Sequence, residues 1–210
     1  MLSLSADNGV ECVRFPPFPP RTSTRYLKFR IGTCLARNPQ VRHCDRIMKT
    51  LLVLYHSATG GTRQMADAAV EGARAEPHMA VRLSHVRDAA AADIIAADGF
   101  IFATPETLGT ISGLMKDFFD RSYYAALGRI EGRPYATMVC AGSDGRNAAA
   151  QLARIATGLR LRLVAEPLIV CTSAQTPEAI MAPKVIAPSE LDRCRDLGAA
   201  LAAGLAMGIY

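Results

Sequence analysis

From residue 51 onward the chain alternates between short, mostly apolar runs and longer stretches in which apolar residues recur every three or four positions. Runs of the first kind occupy residues 51–55, 80–86, 99–104, 135–141 and 161–171. Bounded runs of this length and composition read as strands buried on both faces. Between them, the pattern over 62–74 puts Met65, Ala66, Ala69, Val70 and Ala73 on one helical face. Helices are also predicted over an Ala-rich segment from about 88 to 96, over 112–126 and over 147–159. Near the end, Ser189 and Asp192 resemble a capping box opening a helix striped by Leu191, Cys194, Leu197, Leu201 and Leu205. Strands that alternate with helices predict an α/β fold, a doubly wound five-stranded parallel sheet with helices on both faces. Pro167 lacks a ladder N–H, so the fifth strand is placed at the border of the sheet.

Residues 1–47 behave differently. They contain seven Arg and one Lys against three acidic residues, and thus the whole net charge of +5, together with five of the twelve prolines. Their apolar residues keep no sustained period, which predicts a disordered N-terminal extension ahead of a folded domain over 48–210. Met48, opening MKTLLVLY, reads as a natural chain start, which makes 1–47 an upstream extension. A targeting segment, rich in Arg and Ser, is the other reading; the prolines oppose an amphipathic helix and no secretory apolar stretch is present.

With the extension set aside, 48–210 has 16 basic and 16 acidic residues, so nothing marks the domain for nucleic acid. The weakly polar segment 197–210 has 14 residues, too few to span a bilayer. The six cysteines form no CxxC pair, which suggests neither a zinc site nor a disulfide framework and points to a reducing, cytoplasmic setting.

The candidate chemistry begins where the first strand meets the first helix, at Ser57, Ala58, Thr59, Gly60, Gly61 and Thr62 (SATGGT). Ligands of open parallel sheets sit at the carboxyl ends of the strands. There the two glycines allow close backbone approach, free N–H groups at a helix start favour an anion, and the hydroxyls add donors. Without GxxxxGK[ST] or GxGxxG, neither a nucleoside triphosphate site nor a dinucleotide site is indicated. A glycine-rich turn capped by Thr62 is the alternative without a ligand, and Arg63 reads as an exposed helix-start residue or a charge near the phosphate.

This loop resembles the T-x-T-G-x-T loop of flavodoxins, which holds the terminal phosphate of FMN. The segment ATPETLGTISGLMKDFFDR, from Ala103 to Arg121, is similar to the flavin-wrapping segment of the NAD(P)H:quinone oxidoreductase branch of these flavoproteins. The resemblance covers Lys49–Tyr210 and implies the flavodoxin-like strand order 2-1-3-4-5. It implies that Pro105, Glu106, Thr107, Leu108, Gly109 and Thr110 face the flavin ring, with Glu106 serving through its backbone and its carboxylate turned to solvent. It also implies contacts from Ala141, Gly142, Ser143 and Gly145 after the fourth strand, with Asp144 a further candidate; Ser143 and Asp144 read equally as helix caps.

From the residues themselves, Met115, Phe118 and Phe119 have helical spacing and read as core, Lys116, Asp117, Asp120 and Arg121 read as surface ion pairs, and Cys140 reads as a small core residue. His56 reads as a loop residue bonded to backbone, and Tyr123 and Tyr124 as packing between the third and fourth strands or lining a nicotinamide site. Carrier flavodoxins are typically acidic and stack Trp on the ring, whereas this domain is formally neutral and has no Trp. The resemblance therefore implies an oxidoreductase that passes electrons from NAD(P)H through FMN to a quinone or similar small acceptor. It also implies a homodimer or homotetramer. An electron carrier and a flavin-free scaffold are the competing readings.

Overall fold

A computed structural model describes residues 48–210; the extension expected over 1–47 lies outside the described residues. The first apolar run forms β1 (Lys49–Tyr55), which lies between two parallel neighbours, β2 (Met79–His85) and β3 (Gly99–Thr107). On its other side β3 pairs with β5 (Pro134–Ala141), and β5 pairs with two short strands, β6 (Arg162–Leu163) and β7 (Leu168–Cys171). Counting β6 and β7 as one broken strand, the order is the expected 2-1-3-4-5.

Side chains alternate across the pleat and divide the core into two layers. Leu52, Leu54, Phe100 and Phe102 pack with residues of α2 (Ala91–Ala96), α3 (Gly113–Ala126) and α4 (Arg146–Gly158). Leu51, Val53 and Ile101 face the opposite way, onto α1 (Gly61–Ala73) and α6 (Pro188–Met207). Because both faces of the central strands are covered, β1 and β3 read as apolar runs without alternation.

Helices α1 and α6 pack at backbone distance. A Cβ at Gly72 would lie 2.0 Å from the Arg195 carbonyl oxygen, and one at Gly198 would lie 1.9 Å from that of Ala69. Each glycine makes room for the other helix's main chain. At its solvent edge the pair is joined by Arg195 to Glu71 at 2.8 Å, an exposed contact of small energetic weight.

Several sequence expectations need correction. The fifth strand is not continuous over 161–171. Leu163 sits opposite Tyr135 and Leu168 opposite Met138, so the outer chain takes five steps where β5 takes three, and Pro167 falls in the gap. The third strand runs on to Thr107 and folds back as β4 (Thr110–Ile111). Ser189 and Asp192 form no capping box: Ala187 is the N-cap of α6, Pro188 takes the first helical position, and Asp192 pairs with Arg195 at 2.5 Å. A short helix, α5 (Pro177–Met181), was not foreseen.

The other helix-level readings agree with the structure. Met115, Phe118 and Phe119 are core, and Lys116–Asp120 and Arg121–Asp117 are ion pairs at 2.6 and 2.7 Å. Among the described residues, no helix is long and apolar enough to cross a membrane, and no three His, Cys, Asp or Glu side chains cluster to hold a metal ion.

Candidate functional site

The chain leaves β1 through α1 on one face of the sheet and leaves β3 through α3 on the other. The two connections diverge between neighbouring strands, and a crevice opens at their carboxyl ends. A cavity of about 510 Å³ lies there, lined by residues from the ends of β1, β3 and β5 and by the segment after β7. This volume suits a small organic molecule.

The wall after β1 is organised by Ser57. Its Oγ accepts from the N–H groups of Gly60 at 3.1 Å and Arg63 at 3.3 Å, drawing the loop over the start of α1. Gly60, the N-cap of α1, has φ 88°, a left-handed conformation that favours glycine. The N–H groups of Gly61 and Thr62, in the first turn, have no intrahelical acceptor, and the helix dipole adds positive potential. Thr62 is 1 % exposed, and its Oγ1 is buried without a hydrogen-bond partner. The Cys140 sulfur beside it offers at most a weak contact, and burial raises the Cys140 pKa, so this thiol stays protonated. Thr62 is therefore not the cap that the ligand-free reading required: the residue lines the cavity, with its hydroxyl buried beside the Cys140 sulfur.

Arg63 is turned elsewhere, bonded to Asp67 at 2.7 Å and to the Tyr55 hydroxyl at 2.6 Å. Gly61 leaves space for a neighbour, since a Cβ there would lie 2.7 Å from Cys140 Sγ.

The second wall is the β3–β4 hairpin. Leu108 and Gly109, at φ 51° and 71°, form its two-residue turn. Gln151 Oε1 accepts from the Ile111 N–H at 2.9 Å, and Asn147 donates to the Gly109 carbonyl, so α4 holds the hairpin in place. Ser112 caps α3, accepting from the Met115 N–H at 3.3 Å. The third wall is Cys140, Ala141, Gly142 and Ser143.

Of the sequence candidates, Ser57, Ala58, Thr59, Gly61, Thr62, Pro105, Glu106, Thr107, Leu108, Gly109, Ala141, Gly142 and Ser143 line this one cavity. Gly60, Thr110 and Gly145 do not. Gly60 supplies backbone shape, and its missing Cβ would point toward Gln64 Nε2, 3.9 Å away. Thr110 bonds within its hairpin to the Thr107 carbonyl at 3.0 Å. Gly145 is the left-handed N-cap of α4, pressed against Ile169. Asp144 pairs with Arg146 at 2.5 Å, and neither it nor Ser143 provides the side-chain cap of α4. Tyr123 and Tyr124 are exposed on α3 and lie off the cavity.

Sequence reasoning missed a fourth wall, formed by Thr172, Ala174, Ile180, Met181 and Lys184. Its one local signal was Thr176–Pro177. Thr176 Oγ1 accepts from the Ala179 N–H at 3.2 Å and Pro177 occupies the first turn, a regular helix opening.

His56 adjoins the cradle, and its ring meets that of His85 edge-on at 5.6 Å while its Nδ1 is buried without a partner. Burial first, then the charges of His85 and Arg87, depress its pKa. A histidine held neutral in the folded chain contributes stability above its ordinary value of about 6.5. That stability is lost as the pH falls below 6.5 toward the depressed value. Melting curves recorded downward from neutral pH should show this decline, and His56→Gln should flatten it.

A family-wide profile described as NADPH-dependent FMN reductase matches residues 49–175. A flavodoxin from Aquifex aeolicus (strain VF5) is 40% identical over 86 residues, covering 41% of this chain and 46% of its own. A protein named NAD(P)H dehydrogenase (quinone) from Acidithiobacillus ferrooxidans is 35% identical over 95 residues, with 36% and 48% covered. The chain thus spans about half the length of these curated relatives. Among solved structures, an archaeal flavodoxin superposes with a TM-score of 0.61 at 17% identity, covering 74% of this chain and 98% of that one. A WrbA-like flavodoxin from Agrobacterium tumefaciens superposes at 0.59 with 23% identity, covering 76% and 98%. At these identities the superpositions speak for a shared fold. With the profile matching more than half of its length, the chain has the flavodoxin-like fold and belongs to the NADPH-dependent FMN reductase family.

Proposed function

We propose that this protein binds FMN in the cavity and transfers electrons from NAD(P)H to a quinone or a similar small acceptor. The observation that carries the reading is the buried, unpartnered Thr62 hydroxyl at the N-terminus of α1, on a wall whose backbone donors suit a monophosphate. Family membership supports a flavin, and the quinone dehydrogenase name of the Acidithiobacillus relative supports the donor and acceptor classes.

FMN in such a site supplies hydride and electron chemistry at its ring, leaving the protein to bind, orient and shield it. Ser57 shapes the loop by accepting two N–H groups, and Thr62 Oγ1 with the first-turn N–H groups would hold the phosphate. Pro105–Gly109 and Ala141–Ser143 would close on the flavin from the two neighbouring strand ends. Homodimeric or homotetrameric assembly and a cytoplasmic setting belong to the same reading.

A second reading, an electron carrier reduced only by a partner enzyme, is favoured by the 40% identity to a protein named flavodoxin. Anaerobic mixing of the FMN-loaded protein with NADPH or NADH separates the two. Bleaching of the flavin absorbance with no other protein present is the result expected for the enzyme; bleaching only after a reductase is added marks a carrier. Protein that stays colourless when titrated with FMN would sink both.

A further inference from the structure

Past residue 175, where the family profile ends, the fourth wall is fastened to the loop after β1. Gln64 does this with both ends of its carboxamide. Nε2 donates to the Lys184 carbonyl at 2.6 Å and to the Gly60 carbonyl at 3.2 Å, and Oε1 accepts from the Ile186 N–H at 3.1 Å. The Lys184 N–H donates to the Thr59 carbonyl at 2.8 Å. The root of the Lys184 side chain is thereby fixed against the start of α1: a Cβ built at Gly61 would lie 3.1 Å from the Lys184 Cβ.

From that root the side chain runs to α5. Its ammonium donates to the carbonyls of Ala179, Ile180 and Ala182 at 2.6, 2.9 and 2.7 Å, which engages all three of its hydrogens. These acceptors are neutral, and Lys184 forms no ion pair among the described residues. Among the described residues that line the cavity, Lys184 is the one basic side chain. Glu106, the one acidic side chain there, belongs to β3 and does not pair with it. Arg63, the cation next to the loop in sequence, is held by Asp67. A half-buried ammonium without a counter-ion, on a cavity wall, fits an anion supplied by a ligand.

A neighbouring thiol registers this charge. Burial raises the Cys140 pKa, while the Thr62 hydroxyl and then the Lys184 charge act in the opposite sense. Cys140 Sγ would lie 2.7 Å from the same Gly61 Cβ, so the field of the ammonium reaches the first residue of α1.

We propose that Lys184 is the counter-charge of the flavin phosphate. Its ammonium exchanges the α5 carbonyls for phosphate oxygens, and the site consequently prefers FMN to riboflavin, the same flavin without its phosphate. Charge-assisted hydrogen bonds are about twice as strong as neutral ones, which favours the exchange. The flexible four-carbon stem permits it by bond rotation, with the backbone still held by Gln64 and Thr59. The inference rests on the FMN-binding part of the reading above, which the enzyme and the carrier share, and adds a cation from a segment beyond the family profile.

The test titrates the full flavin-free chain with FMN and with riboflavin, each followed by quenching of its own fluorescence. The two ligands share ring and ribityl chain, so their difference isolates the phosphate. Lys184→Met keeps most of the stem and the backbone bond to Thr59 while removing the charge. It is expected to weaken FMN about tenfold and to leave riboflavin binding unchanged, which also shows that the variant is folded. Lys184→Arg, which restores a cation, is expected to recover most of the preference for FMN.

A lysine that served only to fasten α5 would behave differently. Ile180 and Met181 of that helix line the cavity, so its loosening would weaken both flavins alike in Lys184→Met, and that result overturns the proposal. FMN affinity in Lys184→Met equal to the parent's overturns it as well, and leaves the FMN reading in place. A parent protein that quenches neither flavin removes the FMN reading and this inference with it.

Discussion

Thr62→Val will weaken FMN binding by roughly tenfold to a hundredfold while leaving the flavin-free protein at least as stable as its parent. The two halves of this result come from one atom. Thr62 Oγ1 is buried without a partner, so the flavin-free protein carries the cost of a desolvated hydroxyl, about 1–3 kcal/mol. Valine has nearly the same shape and removes that cost. In the bound state the hydroxyl donates to a charged phosphate, an interaction worth about 1.5–3 kcal/mol, and valine cannot replace it. Titration of the apo-protein, followed by quenching of FMN fluorescence, measures the first half, and thermal melting without FMN measures the second. An affinity equal to the parent's would show that the phosphate lies elsewhere. Gly60, the more obvious target by sequence, is a poorer probe, because a side chain there points toward Gln64 and away from the cavity lining.

The largest effect on stability is expected at Gly198. A methyl group there would stand 1.9 Å from the Ala69 carbonyl oxygen, and the obstacle is main chain, which no rotamer change relieves. Helices α1 and α6 must separate, so Gly198→Ala is expected to cost about 3 kcal/mol, lowering Tm by about 6–12 °C in a domain of this size. Gly158, at the end of α4, is the control: nothing lies within 4 Å of a Cβ built there. Gly158→Ala should leave Tm unchanged or raise it slightly, because only helix propensity and chain entropy change. Equal behaviour of the two variants in calorimetric melts would mean that the two helices do not pack at backbone distance.

The sheet was legible because its signals are local. Buried central strands need runs such as LLVL and FIFA, and crossover helices need one apolar face; both patterns survive in a single sequence. Three site walls were legible for a related reason, since each lies where a strand hands over to a helix. The wall from Thr172 to Lys184 was not, because long-range hydrogen bonds hold it in place. Gln64 reaches across 120 residues to the Lys184 carbonyl, and no periodicity marks that partnership. Glycines misled in a similar way. Gly60, Gly61 and Gly145 share one motif logic in sequence, yet in the fold the first sets a dihedral, the second admits a sulfur, and the third caps α4 against Ile169. The fifth strand failed through its register, which turn chemistry and Pro167 interrupt without ending the pairing.

That interrupted strand carries a parity rule. Between Leu163 and Leu168 the outer chain gains two residues on β5, an even surplus, so the residues beyond the gap keep the same inside–outside assignment as an unbroken strand would give them. Leu168 and Val170 therefore still face α1 and α6. An odd surplus would turn both to the opposite face, where Ile169 packs, and put Ile169 in the α1–α6 layer instead. The joint can thus change length in steps of two without disturbing the sheet, moving Thr172 and the wall behind it relative to the rest of the cavity. In evolutionary terms, it is a place where the depth of the pocket can vary while the core stays fixed.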